Sequence, residues 1–277
     1  MKSKATKYKQ RIINIWNEVA PFYHNRWAKN EIGPFSVTNS LIKSARIKSG
    51  YTVLDLACGT GLVTKKILTR VGRGQVYGVD SSKSALDIAR KWVGKKQNIH
   101  FILGDAETIQ FDTKFDAITC QYALFFFPNA QKVLKNMKKF LKKNGIIAMS
   151  VHGKHNVPYF DSILKPARNL IPDYLPKYPD MERFGTKDTF KDVFVKAGYD
   201  RVVVKKLLFR YSPGTFSDYW NNYKKYLSKP LKEKFNMLSK FQKANFREMV
   251  KDNTLQYTKK NGEIDFPWEV LLLVARN

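Results

Sequence analysis

The chain has 277 residues, 43% of them hydrophobic, two cysteines and a formal charge of +27. That length and apolar content exclude a disordered chain and fit one large domain, or a core with insertions, able to bury a sizeable core. No stretch approaches the roughly 20 apolar residues of a membrane span. No apolar segment follows the basic start MKSKATKYKQ, which argues against a secretory signal and for a cytoplasmic setting.

Residues 1–45 read as an N-terminal helical cap carrying Ile12, Ile13, Ile15, Trp16 and Val19. Seven short apolar runs then read as strands, at 52–57, 75–79, 99–103, 115–121, 145–151, 201–209 and 269–275. Helical periodicity fills 61–71, 82–93, 129–141 and 186–197. Five prolines across 152–185 predict an irregular excursion. Residues 212–265 predict a helical insertion, with Leu231, Phe235, Leu238, Phe241, Asn245 and Met249 as its stripe. Strands alternating with helices imply an α/β domain whose mainly parallel sheet is covered on both faces. The expectation is a single domain: cap 1–45, core 46–211, insertion 212–265 and final strand 266–277.

The charge raises nucleic acid or an anionic membrane surface as partners. The lysines, however, recur as doublets from Lys65-Lys66 to Lys259-Lys260, with no arginine-rich tract. Such dispersal fits solvated helix faces better, so nucleic acid is possible but not favoured. Cys58 and Cys120 lie in apolar runs, as buried free thiols do in a reducing compartment. Two cysteines and four scattered histidines give no metal spacing, so no metal is expected.

The chemistry concentrates at strand ends. Asp55-Leu-Ala57-Cys-Gly59-Thr-Gly61 closes the first strand and opens a helix. Glycine there lets the backbone turn tightly and a ligand approach closely. The third glycine of a dinucleotide fingerprint is missing, and Asp55 would repel a pyrophosphate but tolerate a cationic ligand. Asp80, followed by Ser81, ends the second strand 19 residues after Gly61, where an acid accepts from both hydroxyls of a ribose. Asp105, Ala106 and Glu107 end the third strand, where a carboxylate can accept from an adenine amine. Gln121 ends the fourth strand, facing the reacting centre. The four pieces together describe a nucleoside held without a phosphate grip.

In this order the residues resemble class I S-adenosylmethionine-dependent methyltransferases, with residues 55–61 matching that family's first motif. WNEVAPFYHNRW at 16–27 and NGEIDFPWEV at 261–270 resemble the UbiE/COQ5-type subgroup, so the likeness spans the chain and is strongest over about 50–150. It implies a Rossmann-like fold and S-adenosylmethionine as cofactor. It implies that Gly59 and Gly61 flank the methionine moiety, Asp80 binds ribose, and Asp105 with Ala106 meets the adenine. Gln121 would lie near the sulfonium.

Methyl transfer is an in-line displacement in which orientation supplies much of the rate, about 7–11 kcal/mol. An acceptor with a proton to lose also needs a base. His24, His152 and His155 are the candidates at the mouth of the site, and His100 reads as structural. Tyr23 and Arg26 could reach the cofactor carboxylate if the cap closes over it. The run Phe125-Phe126-Phe127-Pro128, with Tyr159, Phe160, Phe216, Tyr219 and Trp220, is either core or the wall of an apolar pocket. The acceptor expected is thus a small apolar or aromatic molecule. The alternative is RNA or protein, drawn by the basic surface. A cofactor-binding protein without catalysis is the third reading.

Overall fold

The computed structural model describes residues 4–154, 158–170, 183–225 and 229–277. The N-terminal cap begins with α1 (Lys4–Tyr23), whose Pro21 lies in its last turn. A π-helical turn (His24–Ala28), a 3-10 turn (Gly33–Val37) and α2 (Thr38–Ser44) complete it. The core follows as β1 (Thr52–Leu56), α3 (Leu62–Val71), β2 (Gln75–Asp80), α4 (Lys83–Val93), β3 (Ile99–Leu103), β4 (Phe115–Gln121), α5 (Ala130–Phe140) and β5 (Leu141–His152). Then come α6 (Pro158–Leu170), α7 (Lys187–Val195), β6 (Asp200–Thr215), α8 (Phe216–Lys225), α9 (Lys229–Met237), α10 (Lys240–Leu255) and β7 (Glu263–Arg276).

The seven strands form one sheet in the order β3-β2-β1-β4-β5-β7-β6. β1 to β5 are parallel, and β7 runs antiparallel to both β5 and β6. Strand side chains alternate between two cores. Val53, Ala117 and Ala148 meet Leu41 and Ile42 of α2 and Val63 and Ile67 of α3 on one face. Leu54, Leu56, Ile118 and Ile147 face Val133, Leu134 and Met137 of α5 on the other. Burial on both faces is why these strands are continuously apolar. Each such Leu, Ile or Val, fully covered, contributes about 1.5–3 kcal/mol.

Two expectations are corrected. Part of the proline-rich stretch is regular: Pro158 opens α6, where its missing N–H costs no helix bond. Pro166 inside α6 is offset by the buried stripe of Tyr159, Ile163 and Ala167. Pro172, Pro176 and Pro179 lie outside the described residues. The last two strands also run further than their apolar runs, pairing from Asp200 with Arg276 to Thr215 with Glu263. The described helices of the insertion, α8 to α10, therefore lie within 216–255. Pro213 sits at a register shift, and Pro267 pairs with Arg210 beyond the end of β5, where β7 has no second partner to satisfy.

Candidate functional site

The carboxyl ends of β1, β2, β3 and β4 open into one pocket, roofed by α1. Ile12, Ile13, Trp16, Ala20 and Tyr23 of α1 face it at helical spacing, with Phe35 beside them. Across from this apolar wall stand Asp55, Ala57, Gly59, Asp80, Ser81, Asp105, Ala106 and Gln121. Two contacts fasten the roof. Lys9 reaches Asp105 at 2.7 Å and Glu107 at 2.8 Å. Asn17 accepts from the Ser82 hydroxyl at 2.8 Å and the Ser84 N–H at 3.2 Å, at the N-terminus of α4.

Asp55 is the buried floor. It accepts from the hydroxyls of Thr64 (2.6 Å) and Thr119 (2.9 Å). Burial pushes its carboxyl up to about 7, opposed by those two hydroxyls. Asp80 accepts from the backbone N–H of Gly59 and of Ser82, both at 2.8 Å. Burial raises its pKa, and these N–H bonds hold it down toward the ionised form.

Gly59 and Gly61 work differently. Both have positive φ, +55° and +89°. A methyl on Gly59 would stand in open space, whereas one on Gly61 would meet Ala89 of α4 at 3.0 Å. Gly59 leaves room for a ligand; Gly61 lets α3 pack on α4. Ala57 and Tyr122, at the ends of β1 and β4, also hold φ of +54°, an uncommon conformation for residues with a side chain.

Several expected site residues are placed elsewhere. Arg26 is buried away from the pocket, donating to the hydroxyls of Tyr211 (3.1 Å) and Tyr159 (3.3 Å) and lying on the Trp27 ring. Glu107 is a buried brace, accepting from the Asn129 N–H at 3.0 Å as well as holding Lys9. His24 pins the cap to the glycine turn, with Nδ1 3.0 Å from the Thr60 hydroxyl and its ring edge-on to Trp92. Burial, then Lys29 and Lys65, lowers its pKa. His152 is buried behind the pocket wall, stacked on Tyr122 at 4.4 Å, and burial pushes its pKa down to about 3. His155 lies outside the described residues. Gln121 reaches the pocket with its amide committed to Pro34 and Thr38.

The aromatic residues divide. Phe126, Phe127 and Pro128 line the pocket. Phe125, Tyr159, Tyr219 and Trp220 are core. Tyr159 stacks with Trp268, and Phe216 with Trp220.

Sequence reasoning missed Lys9, Phe35 and Tyr122. The Tyr122 hydroxyl is buried with no hydrogen-bond partner among the described residues. Its pKa is raised by burial and by Tyr23 beside it. Burial likewise raises the Tyr23 phenol, so both stay protonated at neutral pH. The signal for Lys9 was present in its helical spacing with Ile12, Ile13 and Trp16; nothing local distinguished Phe35 or Tyr122.

The pocket's chemistry fits a sulfonium nucleoside. It gathers three carboxylates. Among the described residues its only lining cation, Lys9, is bound to one of them, and Gly59 leaves free space beside the backbone.

Comparison with known proteins agrees. A family model described as a methyltransferase domain matches residues 47–198, more than half of the chain. A demethylmenaquinone methyltransferase of Staphylococcus haemolyticus is 27% identical over 179 residues, covering 60% of this chain and 75% of that one. Its counterpart in Staphylococcus epidermidis is 26% identical over 210 residues, covering 71% and 83%. Among solved structures, the YcgJ protein of Bacillus subtilis superposes with a TM-score of 0.57 at 20% identity, over 87% of this chain and 98% of its own. A phosphoethanolamine N-methyltransferase of Haemonchus contortus, in complex with S-adenosylmethionine, gives 0.53 at 15% identity, over 87% and 52%. The chain belongs to the methyltransferase domain family, as a class I S-adenosylmethionine-dependent methyltransferase of the UbiE-like type.

Proposed function

We propose that the pocket beneath α1 holds S-adenosylmethionine and that the methyl acceptor is a small apolar aromatic molecule of the quinone class. One observation carries this reading: a single pocket sets the apolar stripe of α1 against Asp55, Asp80 and Asp105. The names of the curated relatives, demethylmenaquinone methyltransferases, supply the quinone class.

The bound cofactor supplies an electrophilic methyl group on a sulfonium. Asp80 would accept from the ribose hydroxyls and Asp105 from the adenine amine. Gly59 lets the backbone come close to the ligand, and Ile13 and Trp16 exclude water. The Tyr23 and Tyr122 phenols, kept neutral by burial, can donate to a ring oxygen of the acceptor and hold it in line. RNA or protein as acceptor draws on surface charge alone, and the apolar roof does not support it.

The test is transfer of a labelled methyl group to demethylated quinols and to RNA, after calorimetry with S-adenosylmethionine. We expect quinol methylation, with Tyr122→Phe lowering kcat about tenfold while leaving cofactor affinity unchanged, the scale of one lost hydrogen bond. Methylation of RNA but of no quinol overturns the acceptor; absence of cofactor binding overturns the site.

A further inference from the structure

The insertion ends in a feature that the methyl-transfer site does not use. α9 and α10 meet at Leu238 and Ser239, and Met237 and Phe241 project on either side of that turn. They are 84% and 80% exposed, the two most exposed large apolar side chains among the described residues. The turn is firmly built. Ser239 caps α10, accepting from the Gln242 N–H at 3.1 Å while the Gln242 side chain accepts from the Ser239 N–H at 2.9 Å. Beneath it Phe235 anchors α9 against Trp220 and Phe246, at 6.1 and 5.8 Å between ring centres. The apolar tip is therefore held outward by a packed base.

The surrounding charge says what would cover it. Residues 232–243, which form the tip and the turns flanking it, carry four lysines, Lys232, Lys234, Lys240 and Lys243, against one acid, Glu233. Lys240 lies between Met237 and Phe241 in sequence and is exposed. Two apolar side chains in a lysine field suit an anionic bilayer, where the chains enter the acyl boundary and the ammonium groups meet lipid phosphates. A nucleic acid would satisfy the lysines but leave Met237 in water. A second copy would bring two like-charged tips together within a chain of net charge +27.

We infer that the α9–α10 tip docks the protein on anionic phospholipid membranes through Met237 and Phe241. Lys232 of α9 lies over the ring of Phe22, the neighbour of Tyr23 in the pocket wall. Docking would thus bring the C-terminal end of the roof helix close to the lipid surface. The inference does not depend on which acceptor is methylated.

The experiment uses the full chain and vesicles of phosphatidylcholine, alone or with about 30% phosphatidylglycerol, in a sedimentation assay at about 100 mM salt. Binding is expected only with the anionic lipid, weakened at about 500 mM salt. It should fall at least roughly tenfold in Met237→Ser/Phe241→Ser at an unchanged melting temperature. Leu208→Ser, at a 70% exposed position on the edge strand β6, should bind as the parent does. In Phe241→Trp, the indole emission should shift to the blue on the same vesicles. Equal vesicle binding by the double variant, or no shift of the indole, overturns the inference. So does an RNA oligonucleotide that binds through these two residues in the absence of vesicle binding.

Discussion

Lys9 and Asp105 join two parts of the chain that share no local structure: the Nζ of Lys9 on α1 lies 2.7 Å from the carboxylate that follows β3. The same ammonium meets buried Glu107 at 2.8 Å, so one lysine closes the roof over the pocket at two points. Lys9→Met should loosen that end of α1. Because Lys9 and Asp105 remain partly solvated and buried Glu107 keeps the Asn129 N–H, the loss is expected to be small, about 1 kcal/mol, and smaller in high salt. Stopped-flow displacement of S-adenosylhomocysteine should show roughly fivefold faster release. An unchanged release rate would mean that the roof opens elsewhere.

Asp80 holds its position through the N–H groups of Gly59 and Ser82, which leaves lone pairs for the ribose hydroxyls of the proposed complex. Asp80→Ala should weaken cofactor binding by about 1.5–3 kcal/mol, the scale of charge-assisted hydrogen bonds. Calorimetry reads this as a rise in Kd of about 10- to 150-fold. Parent-like affinity would remove Asp80 from the site.

The two glycines of the first turn should separate stability from binding. Gly61→Ala forces its methyl against Ala89 at a strained φ, and a loss of about 2–4 kcal/mol is expected in urea unfolding. The methyl of Gly59→Ala meets no described atom, so its loss should be about 1 kcal/mol while cofactor affinity falls further. Equal effects of both on the melting temperature and on Kd would contradict the division of roles.

Asp55 gives the fold a pH dependence of definite sign. Burial raises its carboxyl from 3.8 to about 7, so the folded chain keeps a proton there that the unfolded chain releases. The stability from that proton is fully present below 3.8 and is lost as pH rises through about 7. In Asp55→Asn the amide can accept from one threonine hydroxyl and donate to the other, and it does not titrate. Urea midpoints measured between about pH 5.5 and pH 8.5 should therefore fall less for Asp55→Asn than for the parent. Parallel profiles would show that Asp55 does not titrate in this range.

The sequence by itself determined the strand ends that line the pocket. The turn from β1 to α3, the acid that ends β2 and the acid after β3 each follow from a strand that stops and a loop a few residues long. The interior apolar runs likewise determined a mainly parallel sheet, because strands buried on both faces carry no polar alternation. Tertiary structure decided which cap residues enter the pocket and which brace it. Lys9 finds Asp105 across 96 positions, and Arg26 finds Tyr211 across 185. Tyr23 and Arg26 lie close together in sequence, yet one lines the pocket and the other is buried against Tyr159. The π-helical turn that follows Tyr23 and carries Arg26 redirects the chain, and only packing against β6 and α6 fixes where the Arg26 side chain ends. His24 and His152 were drawn toward catalysis by residue type, and the fold placed one on Thr60 and the other behind Tyr122. Such choices depend on contacts between distant segments, and no local pattern in the sequence encodes them.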